Sequence, residues 1–487
     1  MNDITQEKKA FYIFLTVHLL IWTLVSLIRV VLPTDTLEGI YWGSLHDFGT
    51  PKHPPLAGWL SYLAYLLFKS DFLLYLMSQT FILFGFIYIY KLARCFLNEQ
   101  NSMLSVIIME GCYVYDYITC YYGFNPDVVL LFTLPAITYY AYKSVNFNKS
   151  RDWIILGIIV GFSLLNKYQT VLIIVPMLIW AMIFRRSIFK GKMIYLSMIV
   201  ALCIFLPHIL WLIKYDFFPF TYFQNELTKR TLLIHIKDLM LFLLMQIAVV
   251  IGTFLIYLSL KIKNKSQFTI NKNLDKSDFY FLLFVGLTPF LFHLLMGVFS
   301  SGTMHGRWNY TFMYMTGIML FSIFPISVSK KDFMFCTKFA YAIMLIVFLV
   351  MGTLLSVEKN YRSRYPVSVV YNHFENIFES KYHSQIKYVG GYIEWSLPLT
   401  IYSKSHPECL LDTFLYKSPW VDYDNLKKSG ALFISRTRKS VIGYVKQACP
   451  YLPDDYIIEP LPYTFTLTNF FKFPREYEIY YFIVPPM

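Results

Sequence analysis

Charge is what this chain has least of: Asp, Glu, Lys and Arg together make up 15% of its 487 residues, against 56% hydrophobic ones. The mean hydropathy is +0.48. A water-soluble core cannot bury that much apolar side chain, so the composition excludes a soluble globular protein and places the chain in lipid. Other absences narrow the field further. There is no Gly-rich loop to cradle phosphates, no nucleophile motif, no His-x-x-x-His or Cys-x-x-Cys spacing, no internal repeat and no low-complexity segment; a cytoplasmic nucleotide-sugar site and a motif-built metal site are therefore not indicated. The net charge of +13 does not imply nucleic acid, because the basic residues sit in short loops between apolar runs and not on one water-facing surface. The first apolar run is followed by "SLIRVVLPTD", which offers no small-residue cleavage site, so it is read as a retained anchor.

What is present is a series of apolar runs near 11–33, 72–93, 103–119, 127–143, 152–165, 168–184, 193–213, 237–260, 279–299, 309–327 and 339–356. They predict an α-helical polytopic membrane protein with about eleven spans, in a range of about ten to thirteen, each crossing roughly 30 Å of hydrocarbon. The run 56–68 looks too short to cross. If Lys8 and Lys9 are cytoplasmic, the loops holding Arg94, Lys149 and Arg151, Arg185 to Lys192, Lys261 to Lys276, and Lys330 and Lys331 all fall inside, which is the expected asymmetry. An odd number of spans then puts the C-terminal tail outside. Richness in Lys, Asn, Ile, Tyr and Phe suits a bacterial inner membrane. Most of the 40 Tyr and 45 Phe are assigned to lipid-facing and interfacial belts, and isolated histidines within spans, such as His18 and His293, are read as buried donors and not as ligands.

The expected division is a membrane domain over 1–356, with a polar outer loop at 34–70, and a small periplasmic α/β domain over 357–487. In the tail, "IKYVGG", "GALFISR" and "YEIYYFIV" read as strands and "YIEWSLPLTIYSK" as a helix. The absence of catalytic motifs there favours a lid or acceptor platform. Five of the cysteines lie in or beside spans as small buried hydrophobes; Cys409 and Cys449 lie in the tail, where a disulfide between them is left open.

The outer loop, "DTLEGIYWGSLHDFGTPKHPPLAGWL", is the polar exception. If the segment after Pro33 is helical, Asp35, Glu38 and Trp42 share one face and both carboxylates point together. Carboxylates beside hydrocarbon are costly and usually persist because they bind or react with something; capping a short helix and pairing with Lys52 is the plainer alternative. Lys52 and His53 precede Pro54 and Pro55, whose rigid backbone fixes their direction. Two such donors at the water–lipid boundary suit a phosphate. Asp127, opening the fourth span, reads equally as a helix cap or a site residue. Lys167 and Tyr168 lie at an outer turn, and Arg307 in "SSGTMHGRWNY" offers a bidentate donor to a phosphate.

The pattern D-x-x-E-x-x-x-W-G followed by K-H-P-P-L-x-x-W-L resembles the first outer loop of bacterial C-type glycosyltransferases, in the superfamily of dolichyl-phosphate-mannose protein mannosyltransferases. Within it the nearest likeness is to transferases that decorate lipid A or its core with aminoarabinose, galacturonic acid or galactosamine. "EGCYVYDY", "FNPDVVLL", "LLNKYQ" and "LPHILWLIKYDFFPF" extend the likeness in order over roughly residues 10 to 320. The resemblance implies the C-type glycosyltransferase fold and a sugar moved, with inversion, from a polyprenyl (undecaprenyl) phosphate to an outer-leaflet glycolipid such as lipid A or lipopolysaccharide core. It implies Asp35 as the catalytic residue, acting as base with Glu38 orienting it or the acceptor. Lys52, His53, Asp127, Lys167, Tyr168 and Arg307 would bind substrate. In the aminoarabinose transferases Glu-Lys precedes the proline; here His53 stands in the lysine's place and Lys52 in the glutamate's, so no obligatory metal is expected, although a divalent cation is left open. Expected partners are the lipid-linked donor, the glycolipid acceptor and membrane lipids, with no nucleic acid and the chain a monomer. Two alternatives remain: transfer to a protein or another polysaccharide, and a lipid-linked sugar flippase. The second would place ionisable residues near mid-membrane, whereas here they are expected to converge on one face.

Overall fold

The computed structural model describes residues 2–226, 231–299, 305–357, 364–411, 418–453, 455–469, 471 and 473–487. Every one of the eleven apolar runs contains helix. Among the described residues, seven helices are long and apolar enough to cross a bilayer: Gln6–Ser26, Asp71–Ala93, Pro126–Phe147, Lys192–Lys214, Leu232–Lys263, Lys276–Phe299 and Lys330–Val357. Glu99–Gly111 and Val114–Tyr122 form an eighth candidate, bent by 47° at the break between them. The runs at 152–165, 168–184 and 309–327 form shorter helices, Ser150–Leu164, Val171–Phe184 and Thr316–Ile323, the last entered through the 3-10 helix Gly306–Met315. The chain is a multi-pass membrane protein.

By compactness the chain divides into two units. One comprises residues 1–26, 46–60 and 68–351; the other comprises 27–45, 61–67 and 352–487. In the first, the bend in the Glu99–Tyr122 pair has a local cause. A Cβ on Gly111 would lie 2.1 Å from the Gly252 carbonyl carbon, so the two backbones touch where the helix breaks, and the Tyr113 amide donates 3.2 Å to the Val249 carbonyl in place of its own helix. A neighbouring span thus satisfies backbone freed at a break, as an apolar surrounding requires.

The second unit is built around a five-stranded sheet of β1 (Tyr388–Gly391), β2 (Glu408–Leu411), β3 (Ala431–Ser435), β4 (Leu461–Thr468) and β5 (Pro474–Val484). Its order is β2-β1-β3-β5-β4; β1 runs parallel to β2 and β3, and β5 is antiparallel to β3 and β4. All four residues of β1 and all five of β3 are buried, the pattern of strands covered on both faces. The three strands and the helix read from the sequence are present, the helix as Ile393–Tyr402; β2 and β4 are additions. Cys409 and Cys449 are both buried free thiols, so the disulfide left open above is not formed.

Two separated segments, 27–45 and 61–67, are stitched onto helix Ile393–Tyr402. The Leu32 amide donates to the Tyr402 hydroxyl at 3.1 Å, the Tyr65 hydroxyl donates to the Ile401 carbonyl at 3.1 Å, and helix Thr34–Ser44 packs along it.

Candidate active site

In the first unit the loop before residue 56 is a constructed turn. The Thr50 amide and hydroxyl both donate to the His53 carbonyl, at 3.0 and 2.8 Å, and the same hydroxyl accepts the His53 amide at 2.9 Å. Thr50, together with the prolines, sets the direction of Lys52 and His53. Gly49 is required beside it, because a Cβ there would sit 2.2 Å from the Trp211 ring. The turn is tied to the turn carrying Lys167 by a bond from the Leu56 amide to the Leu165 carbonyl at 3.0 Å.

Asp127 is not the cap of its helix. Asn125 accepts the amides of Asp127 and Val128 at 2.8 and 3.2 Å, and Pro126 occupies the first helical position. The Asp127 carboxylate is thereby released from capping and forms an ion pair with Lys167. Asn166 Nδ2, next to Lys167, donates to the Pro126 carbonyl at 2.9 Å and holds the two turns together. Arg307 leads the 3-10 helix Gly306–Met315 and lies over the Tyr122 ring at 4.8 Å, a cation–π contact. Its backbone is fixed on either side: Gln246 donates to the Gly306 carbonyl at 2.9 Å and Gln169 to the Trp308 carbonyl at 3.3 Å. Residues 300–304 of the loop quoted for Arg307 lie outside the described residues.

The structure therefore brings Lys52, His53, Asp127, Lys167 and Arg307 into one electrostatic group. Burial, followed by the charges of Lys167, Lys52 and Arg307 and opposed by Asp127, pushes the His53 imidazole from its ordinary 6.5 down to about 3. His53 is therefore neutral at physiological pH and offers one neutral N–H beside the Lys52 ammonium. Tyr168 is also committed. Its hydroxyl meets His208 Nε2 at 2.7 Å while His208 Nδ1 lies 2.6 Å from the Phe48 carbonyl. A carbonyl only accepts, so Nδ1 carries the proton and Nε2 accepts from Tyr168. Tyr168 and His208 thus brace the 47–53 loop. His208 was missed as a site residue although it stands within "LPHILW".

In the second unit Asp35 and Glu38 lie on helix Thr34–Ser44, as the loop reading expected. The helix starts on Pro33, whose carbonyl accepts the Thr36 and Leu37 amides at 3.0 Å each. Asp35 is half-buried in the first turn and Glu38 is buried one turn on. The Tyr41 hydroxyl holds the helix to the sheet: it accepts the Cys409 amide at 3.0 Å and Trp420 Nε1 at 2.9 Å, and donates to the Cys409 carbonyl at 3.2 Å. Burial holds its pKa well above the ordinary 10.0.

One group contradicts the expectation that ionisable residues gather at one face. His18, Glu110 and Asp116 meet inside the spans of the first unit, at 1%, 0% and 0% exposure, with His18 Nδ1 2.7 Å from Glu110 Oε2. Nothing local announces a pairing 92 residues apart.

Residues 52–211 match the model of the dolichyl-phosphate-mannose-protein mannosyltransferase family, in agreement with the resemblance read from the loop motif. No curated protein matches the sequence. Among solved structures the chain resembles ArnT from Cupriavidus metallidurans bound to undecaprenyl phosphate, with a TM-score of 0.63, 11% identity, and coverage of 96% of this chain and 97% of that one. It resembles the same protein in the apo state with a TM-score of 0.63, 12% identity, and coverage of 97% of each chain. The chain has the fold of that protein over nearly its whole length.

Proposed function

We propose that this protein is a glycosyltransferase that takes a sugar from a polyprenyl phosphate, undecaprenyl phosphate in a bacterial inner membrane, and transfers it with inversion to an outer-leaflet glycolipid, lipid A or lipopolysaccharide core. The observation that carries the reading is the convergence of Lys52, Asp127, Lys167 and Arg307 around His53, from loops far apart in sequence, in a fold shared with a protein whose structure holds undecaprenyl phosphate.

The chemistry accounts for the cations. An acceptor hydroxyl oxygen attacks the anomeric carbon from the side opposite the phosphate; the carbon–oxygen bond to phosphate breaks with its electron pair leaving on oxygen. A phosphodiester of charge −1 becomes a monoester of charge −2, so negative charge grows on the departing phosphate in the transition state. Fixed cations aimed at that oxygen lower the barrier. Lys52 and Arg307 are assigned to the phosphate, His53 donates its neutral N–H, and the Lys167–Asp127 pair holds the outer turns in register. Asp35 takes the proton of the attacking hydroxyl and Glu38 orients Asp35 or the acceptor. With a phosphate acceptor no proton needs removing, and Asp35 positions it. The active face and the C-terminal domain are assigned to the periplasm.

The test uses purified protein in detergent with carrier-linked sugar and lipid A, read by mass spectrometry. Product formed without a sealed membrane, and lost in Asp35→Asn, is the expected result. Product only in sealed vesicles, as redistribution of unchanged lipid-linked sugar, would instead establish a flippase.

A further inference from the structure

Three titratable groups inside the spans take no part in the proposed reaction. His18 comes from helix Gln6–Ser26, Glu110 from the 3-10 turn Ile108–Gly111 where the next helix breaks, and Asp116 from the helix Val114–Tyr122 beyond it. One donor atom of each lies within 4.8 Å of the others. Among the described residues neither carboxylate oxygen of Asp116 has a hydrogen-bond partner, nor does His18 Nε2. Glu110 is better served: Oε2 meets His18 Nδ1 at 2.7 Å and Oε1 accepts Trp22 Nε1 at 3.3 Å. The surroundings are aromatic, with Phe86 against His18 at 5.0 Å and Tyr115 against Phe86 at 4.8 Å.

A carboxylate with both oxygens unmet in an apolar interior is costly in either protonation state. A second carboxylate nearby raises that cost, and among the described residues no Lys or Arg acts on Asp116 to offset it. A divalent cation removes the difficulty: two carboxylates, one neutral imidazole and a +2 ion sum to zero. One imidazole nitrogen with carboxylate oxygens is a donor set for first-row divalent ions, and the small number of ligands matches Zn²⁺ best.

We infer that His18, Glu110 and Asp116 form a structural site for a divalent transition ion, Zn²⁺ by donor type, that fastens the first span to the broken helix. None of the three is among the charges that act on His53. Its consequence is mechanical: the helix it secures ends at Tyr122, which stacks on Arg307, and is followed within five residues by Asp127.

The intact protein, purified in detergent with chelator throughout, is measured by inductively coupled plasma mass spectrometry beside Asp116→Asn, which keeps shape while removing charge. About one zinc per chain is expected in the parent, retained because the site is enclosed, and a large loss in the variant. Should Asp116→Asn not fold, zinc K-edge absorption on the parent protein decides: a first shell of nitrogen and oxygen near 2.0–2.1 Å supports the site, and a sulfur shell refutes it. Parent protein that is monodisperse and free of metal after growth with added zinc, manganese or iron overturns the inference, leaving a protonated cluster; so does equal metal in parent and variant. Neither outcome depends on sugar transfer, so failure here leaves the proposed reaction standing.

Discussion

Replacing Tyr41 with Phe deletes a single oxygen that serves three hydrogen bonds, to the Cys409 amide, the Cys409 carbonyl and Trp420 Nε1. The ring, buried with 4% exposure, stays and leaves no cavity, so the effect isolates the polar contacts. Two donors and an acceptor lose their partner, each at about 1–3 kcal/mol when buried. Partial relaxation of Trp420, which is not fully buried, argues for the lower half, on the order of 3 kcal/mol in all. The loss falls on the attachment of helix Thr34–Ser44 to β2. Native-state hydrogen exchange reads it directly: amides of that helix should exchange about a hundredfold faster, since each 1.4 kcal/mol is roughly tenfold, while the long spans exchange as before. Transfer should fall with the helix loosened, because Asp35 and Glu38 ride on it. If exchange in Thr34–Ser44 changes less than about threefold while the variant remains folded, the hydroxyl is not what fastens the helix, and the reasoning from unmet buried partners fails at this position.

Acid should destabilise the protein through His53. Its folded pKa of about 3 lies below the ordinary 6.5, so between these values the unfolded chain binds a proton the folded one refuses; stability is complete above about 6.5 and declines as pH falls toward 3. His53→Gln should show a shallower decline from pH 6 to 4 in thermal or protease unfolding, and an identical slope would refute the assignment. Gly49→Ala should push the turn off Trp211, with overpacking of about 1–3 kcal/mol and a raised KM for the lipid donor; unchanged kinetics would show that the turn shifts freely. Asn125→Ala should remove about 1 kcal/mol of cap energy and act non-additively with Lys167→Met, since both mutations disturb the placement of Asp127; additivity in a double-mutant cycle of activity would place the two effects on separate paths.

Much of the architecture was legible because apolar length and strand composition are local signals. The helices at 71–93, 126–147 and 192–214 could be read from their runs, and β1, β3 and β5 from their β-branched and aromatic residues. Strand β2, Glu408–Leu411, is as short as β1 but has no β-branched or aromatic residue to mark it, and β4 is Thr- and Pro-containing with a largely exposed face. The loop motif led to Asp35, Glu38, Lys52 and His53 because paired charges beside hydrocarbon stand out. The neutral state of His53 was not legible: it depends first on burial, and then on Lys167, Lys52 and Arg307, two of which come from loops far away in sequence. Nor was the division of labour between Asn125 and Asp127, both good cap residues two positions apart, which the backbone alone decides. His18 looked isolated because its partner is on another span.

The second unit takes strands, helices and tethering tyrosines from 27–45, 61–67 and everything after 352. Helix Thr34–Ser44 emerges from the ribosome among the first segments, yet its anchor at Cys409 and Trp420 is translated hundreds of codons later. During biogenesis the carboxylate helix must wait, half-finished, for the end of the message. Chains halted in the spans would lack Cys409 and Trp420, and with them the partners that fix the helix carrying Asp35.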